Sequence, residues 1–257
     1  MNNKVACIIP ARMASTRFPG KPLARILGHS MIEHVYRRVK LAKEIDEIFI
    51  ATCDREIAAE ARKFGAEAIM TSDKHTRGTD RVAEAAQSLH SGIVINVQGD
   101  EPLVDPFSLD KAVLAMKQDS KIPCINLISP ITNWEVFVDR NVVKTTITPQ
   151  NNVLYFSRQA VPTSTKENFK QAWKQIGIYF FRREFLLQFY GWPQTPLEQA
   201  EAVDMMRILE HGFPIKAFAA QDMISVDTPA ELLAMEKILR EDPLYNQIFV
   251  PAFSQPK

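Results

Sequence analysis

Residues 7–22 read CIIPARMASTRFPGKP. With Val5 and Ala6 before them they open as an apolar run that stops at Pro10, the pattern of a short strand buried on both faces, as in a parallel sheet. A loop follows, carrying Arg12, Arg17 and Lys21 with Ser15, Thr16 and Gly20 between them and prolines on either side. Three cations in one loop at the carboxyl end of a first strand suit an anionic ligand, most simply a polyphosphate. Ligands of open α/β sheets bind at that edge, and Arg and Lys grip phosphate oxygens through charge-assisted hydrogen bonds. On spacing alone, an exposed basic loop that binds nothing is an equal alternative. The loop is neither G-x-x-x-x-G-K-[ST] nor G-x-G-x-x-G, and the missing glycine fingerprint disfavours a nicotinamide oxidoreductase.

Outward from that stretch the chain alternates. Ser30 to Glu33 has the form of a capping box, and Ile32, Val35, Tyr36 and Val39 make an apolar stripe at helical spacing, predicting a helix to about Leu41. Residues 47–52 and 67–70 read as strands, with a short helix between them capped by Asp54 and closed by Gly65. A polar loop over 71–80 leads into an Ala-rich helix to about Leu89, then a strand over 92–97. Asp105 and Pro106 suit the N-cap and first turn of a helix to about Lys117. Beyond it we expect a strand over 123–129, a hairpin over 141–157, a mobile loop over 159–174 and a strand over 175–181. Helices are expected over 183–190 and 197–211, strand-like segments over 215–219 and 223–226, a helix from Thr228-Pro229 to about Leu239, and an irregular tail over 242–257. Strands and helices in short alternation imply βαβ units and a mainly parallel sheet.

With 257 residues, 46% hydrophobic and 24% charged, the chain can bury a substantial core. A formal net charge of +1 argues against a nucleic-acid or membrane-surface binder. No apolar run approaches the roughly 20 residues that span a bilayer, and the start lacks a signal-peptide layout. Cys7, Cys53 and Cys124 stand singly, which fits buried thiols in a reducing cytoplasm better than a disulfide framework or a zinc site.

The motif I-I-P-A-R-x-x-S-T-R-x-P-G-K-P resembles the opening signature of the 3-deoxy-manno-octulosonate cytidylyltransferases. The resemblance recurs at R-G-T-D-R (77–81), V-Q-G-D-E-P (97–102), L-Y-F-S-R (154–158), I-G-I-Y (176–179), P-L-E-Q (196–199) and V-D-T-P (226–229). It thus covers nearly the whole chain, to about residue 240. It implies an α/β fold of the nucleotide-diphospho-sugar transferase, Rossmann-like kind: a mainly parallel twisted sheet with helices on both faces and a smaller mixed α/β part. We expect a single domain over 1–257. Residues 1–120 would be mainly nucleotide-binding, 121–240 mainly sugar-binding and dimerising, and 241–257 a tail.

The implied reaction moves CMP from CTP to a sugar hydroxyl, for lipopolysaccharide synthesis in the cytoplasm. Positioning and charge neutralisation do most of that catalysis. The resemblance makes Arg12 and Lys21 holders of the triphosphate, with Arg17 beside them, and Lys21 a residue that places the reactants. Asp100 and Asp227 become ligands of a Mg²⁺ ion, which takes only one or two carboxylates and keeps several waters. From position alone, either aspartate reads equally as a turn or capping residue. Gly78 and Thr79 fit a close backbone approach to the nucleotide, and Gln98 offers a donor and an acceptor. Arg158 is the candidate for the sugar carboxylate, with Tyr179, Glu198 and Glu201 in the sugar pocket; a solvated charged helix face is the rival reading of the two glutamates. A homodimer is expected from the family alone.

The chain departs from the family pattern at four places. Arg77 stands where a smaller residue is usual, and Gln175 replaces a sugar-binding histidine. Asp204 shortens a Glu, and Met205 replaces a Gln. The swaps at Gln175, Asp204 and Met205 open the reading that the acceptor is a different ulosonic acid. A further alternative is a catalytically silent paralogue that only binds CTP.

Overall fold

The computed structural model describes residues 3–14 and 18–249; Arg17 lies outside the described residues. Strand β1 (Val5–Ala11) is buried along its whole length and pairs in parallel on both sides. Its alternate side chains feed two cores. Cys7 and Ile9 pack into one and Ile8 into the other, as the period-2 alternation of a strand requires. Burying each such aliphatic side chain contributes about 1.5–3 kcal/mol. The strand does not stop at Pro10 as expected but continues to Ala11. Its pairs with β6 (Ile93–Val97) end at Ile8, while those with β4 (Glu47–Thr52) run on to Ala11. Pro10 therefore sits where one side of the strand is unpaired, and a missing N–H is tolerated there.

A short pair, β2 (Arg25–Ile26) and β3 (His29–Ser30), precedes helix α1 (Met31–Val39). Ser30 is the N-cap, but the expected capping box does not close. Glu33 instead binds Arg37 at 2.8 Å and His29 at 3.2 Å. Then come α2 (Arg55–Lys63), β5 (Glu67–Met70) and α3 (Gly78–Gln87), the last starting two residues before the predicted Asp80. After β6 the Asp105 carboxylate accepts from the Phe107 and Ser108 amides and starts α4 (Pro106–Gln118).

Strand β7 (Cys124–Ile131) and a short helix α5 (Trp134–Val138) that the sequence reading missed lead to the hairpin β8 (Lys144–Ile147) and β9 (Val153–Ser157). Part of the expected loop over 159–174 is strand, because β10 (Ala172–Arg182) begins three residues earlier than predicted. The extra residues are stabilised by pairing with β7 and β8. After α6 (Arg183–Tyr190), the single helix expected over 197–211 is two. These are α7 (Pro196–Glu201) and α8 (Met206–Glu210), broken by Ala202 at φ 53°. Strand β11 (Lys216–Ala219) is present, but residues 223–226 are not a strand. Helix α9 (Pro229–Glu241) opens with a Thr228–Glu231 capping box. The expected irregular tail instead holds helix α10 (Pro243–Phe249), seated on α1 through Phe249 against His34 and Arg37, with an Arg38–Asp242 ion pair just before it.

Among the described residues the main sheet has nine strands, in the order β11-β7-β10-β6-β1-β4-β5, with β8 and β9 added beside β10. Pairing is parallel except around β10 and the hairpin. One core lies with α1 and α4 on one face, the other with α3, α6 and α8 on the opposite face. From β1 the chain winds outward to β4 and β5, then returns to the other side of β1 as β6. That reversal is a topological switch point, and the crevice outside the carboxyl ends of β1 and β6 is where such sheets take ligands. No helix among the described residues is long and apolar enough to cross a membrane.

Candidate active site

The loop after β1 is fixed from both ends. Asp54, expected to cap α2, makes no cap bond there; its carboxylate accepts the Met13 amide at 2.8 Å instead. The Gly20 amide donates to the Met13 carbonyl at 3.0 Å. Gly20 has φ 74°, a conformation open to glycine without a steric penalty. The next residue, Lys21, is thereby aimed inward. Its Nζ contacts Asp100 Oδ2 at 2.5 Å and Asp227 Oδ1 at 3.1 Å. Arg12 is exposed at the rim, its guanidinium donating to the His75 carbonyl at 3.4 Å.

Two segments remote in sequence carry the aspartates. Gly99 lets the turn after β6 lie on the end of β1, where a Cβ would come within 2.9 Å of the Pro10 carbonyl oxygen. The Val226 amide donates to the Asp100 carbonyl at 3.0 Å, docking the segment before α9 onto that turn. Glu231 then accepts the Asp227 and Thr228 amides at 2.7 and 2.8 Å, which sets where Asp227 stands. Burial lowers the Lys21 pKa, but the charges and hydrogen bonds of Asp100, then Asp227, outweigh it and hold the ammonium above its ordinary value.

Two cavities meet at this cluster. The first is bounded by Arg12, Lys21, the 75–78 segment, Arg81, Gln98 and the aspartates. The second is bounded by Glu101, Arg158, Gln175, Tyr179, Asp204 and again Gln98, Asp100 and Asp227. Gln98, Asp100 and Asp227 form the shared wall. Gln98 is wedged between two glycines, since a Cβ at Gly78 or at Gly177 would approach its side chain to 2.9 Å.

The other sequence-predicted residues divide. Arg158 and Tyr179 line the second cavity, and Arg158 is held there by its Nε to the Glu201 carbonyl at 2.9 Å. Gln175 lines it too, with a buried Nε2 that has no partner. Gly78 lines the first cavity. Thr79 lines neither; it is buried and donates to Asp204 at 2.6 Å. Glu201 turns inward to accept from Tyr155, Ser157 and the Arg158 amide. Glu198 is fully buried, bound at 2.7 Å by both arms of Arg207 and at 3.3 Å by Arg77. The reading of these glutamates as a solvated face is overturned: their helix turns both carboxylates inward, Glu198 onto Arg207 and Arg77 and Glu201 onto two hydroxyls and an amide. Met205 is fully buried in the core and has no polar part to offer.

Sequence reasoning missed three residues. Arg77 and Arg81 border the first cavity, and Arg81 Nη2 is buried without a partner. Both belong to the R-G-T-D-R run, whose charge pattern was the available signal. Glu101 borders the second cavity, 6% exposed, with Oε2 unpartnered. Burial, and secondly the Asp100 charge, raise its pKa to about 8. Its neighbour Pro102 made it look like a turn residue.

Residues 6–222 match the sequence model of the cytidylyltransferase family. The 3-deoxy-manno-octulosonate cytidylyltransferase of Syntrophotalea carbinolica is 41% identical over 246 residues, covering 92% of this chain and 98% of its own. The chain belongs to the 3-deoxy-manno-octulosonate cytidylyltransferase family. Its namesake in Myxococcus xanthus is 43% identical over 240 residues, covering 92% of this chain and 97% of its own. A solved structure of CMP:2-keto-3-deoxy-manno-octonic acid synthetase complexed with CTP superimposes with a TM-score of 0.88 at 34% identity, over 93% of this chain and 99% of that one. The 4-diphosphocytidyl-2C-methyl-D-erythritol synthase of Anaerococcus prevotii shares the fold alone, with a TM-score of 0.61 at 15% identity, over 93% of this chain and 97% of that one.

Proposed function

We propose that this cytidylyltransferase moves CMP from CTP to the anomeric hydroxyl of 3-deoxy-D-manno-octulosonate, releasing pyrophosphate and supplying lipopolysaccharide synthesis in the cytoplasm. The observation that carries the reading is the shared wall. A cation-bordered cavity and a mixed polar cavity meet at Gln98, Asp100 and Asp227, with Lys21 of the first cavity bound to both aspartates, as two substrates require for in-line attack at a phosphorus between them.

In the first cavity Arg12 and Lys21 neutralise the triphosphate; the same role for Arg17, outside the described residues, is part of the proposal. Gly78 and Gln98 bound the nucleoside. Asp100 and Asp227 converge on one point, the Lys21 ammonium, and two carboxylates are what Mg²⁺ takes beside waters and phosphate oxygens. These two residues would hold the ion, which would supply positive charge against that developing on the phosphates. Lys21 contacts both carboxylates before substrate arrives and so keeps them from repelling the triphosphate. In the second cavity Arg158 pairs the sugar carboxylate, while Gln175 and Tyr179 contact hydroxyls. Glu201 serves that pocket by fixing Arg158 rather than by reaching the sugar, whereas Glu198 is committed to Arg207 in the interior. We propose one nucleotidyltransferase domain working as a homodimer, a state that light scattering reads directly.

Pyrophosphate release from CTP and Mg²⁺ tests the reading, with 3-deoxy-D-manno-octulosonate and a sialic acid as rival acceptors. Release with the first supports it. Release only with the second makes Gln175 and Asp204, which border the second cavity, determinants of a different acceptor. A CTP-induced rise in Tm without release for either acceptor would point to a silent binder.

A further inference from the structure

We propose that Glu101 and Gln175 form a donor–acceptor pair that reads one hydroxyl group of the acceptor. This rests on the reading of the second cavity as the site of a polyhydroxy acid. Glu101 is 6% exposed, and its Oε2 is buried with no hydrogen-bond partner. Gln175 Nε2 is buried and likewise unpartnered. Both side chains line the same cavity, and an enclosed polar atom left unpaired costs about 1–3 kcal/mol. Two such atoms at one wall point to a group brought in from outside.

Their placement is set by β10. A Cβ at Gly177 would stand 3.5 Å from Glu101 Oε1, so the carboxyl lies against the strand at a residue with no side chain. Gln175 is two positions earlier, and although the register of the strand shifts between Gln175 and Tyr179, Gln175, Gly177 and Tyr179 all border this one cavity. A hydroxyl between them accepts from the Gln175 amide and bonds Glu101 in either protonation state, because an alcohol is both donor and acceptor. A methylene in its place leaves both atoms unpaired. Arg158, Asp100, Asp204 and Asp227 also border the cavity, but their charges do not require a hydroxyl.

The test is steady-state kinetics of the full-length protein with 3-deoxy-D-manno-octulosonate and its analogues lacking one further hydroxyl at a time. The variants are Glu101→Met, Gln175→Met and the double substitution. We expect wild type to reject one analogue. Each single variant should lower kcat/KM for the intact acceptor about 10–100-fold, the scale of leaving one enclosed polar group without its partner, and should lose the discrimination at that one hydroxyl. The double variant should lose little more than either single one. KM for CTP and half-saturation by Mg²⁺ should hold, and Tm should stay or rise, since Glu101→Met removes an orphaned group. Unchanged acceptor KM overturns the pair, and so does additive loss in the double variant. A fall in Tm together with an equal rise in KM for CTP makes Glu101 structural and also overturns it. Wild type that turns over none of these acceptors overturns the functional reading and the pair with it.

Discussion

Replacing Glu101 by glutamine removes a carboxyl that should make the unliganded protein less stable as the pH rises. Burial, then the charge of Asp100, raise its pKa from 4.5 to about 8, against smaller opposing effects of Lys174 and Lys21. A carboxyl raised on folding binds its proton more tightly in the folded state. Its contribution is therefore fully present below 4.5 and is lost as the pH climbs towards 8. His34 acts in the opposite sense over another window. Burial, opposed by its bond to the Ile26 carbonyl, lowers its pKa from 6.5 to about 4, so stability is lost there as the pH falls. Between about pH 6.5 and 8 Glu101 is free of that contribution. At about 1.4 kcal/mol per pH unit the interval amounts to about 2 kcal/mol, or about 4–8 °C of Tm for a chain of this size. Thermal melts of nucleotide-free, metal-free protein at constant ionic strength read it, with Glu101→Gln as the control. A wild-type Tm that is level across the interval, or one that falls equally in the variant, refutes the assignment.

Gly99→Ala would bring a Cβ within 2.9 Å of the Pro10 carbonyl oxygen; the turn must shift and carry Asp100 with it, so kcat/KM should fall about 10–100-fold while the far-ultraviolet spectrum is unchanged. Lys21→Met leaves Asp100 and Asp227 facing the triphosphate without their cation; turnover should fall about 100–1,000-fold in a pyrophosphate-release assay, whereas Arg12→Ala at the exposed rim should act mainly on KM for CTP. Glu198→Gln deprives buried Arg207 of its counter-charge and should destabilise the protein by about 3–5 kcal/mol in urea titrations; an unchanged midpoint with a raised acceptor KM would instead place Glu198 on the sugar.

The amino-acid sequence by itself determined the parallel framework and the basic loop at its first carboxyl edge. Both rest on short-range patterns: the continuous apolar run of Val5–Ile9 ending in a basic loop, and Asp105-Pro106 or Thr228-Pro229 at helix starts. Asp100 and Asp227 were legible as candidates because their motifs are local. That they meet at Lys21, 79 and 206 residues away, was decided by the chain reversal that sets β6 beside β1 and by the Val226–Asp100 backbone bond. Tertiary structure alone settled the fate of polar side chains whose partners are distant. Asp54 serves the Met13 amide rather than its own helix. Glu198 turns to Arg207 and Arg77 rather than to solvent. Glu101, a turn residue by pattern, becomes an enclosed carboxyl because Gly177 of an antiparallel strand leaves room for it. Periodicity records which residues prefer to be buried. Which buried polar atom finds a partner depends on segments that only the closed sheet brings together.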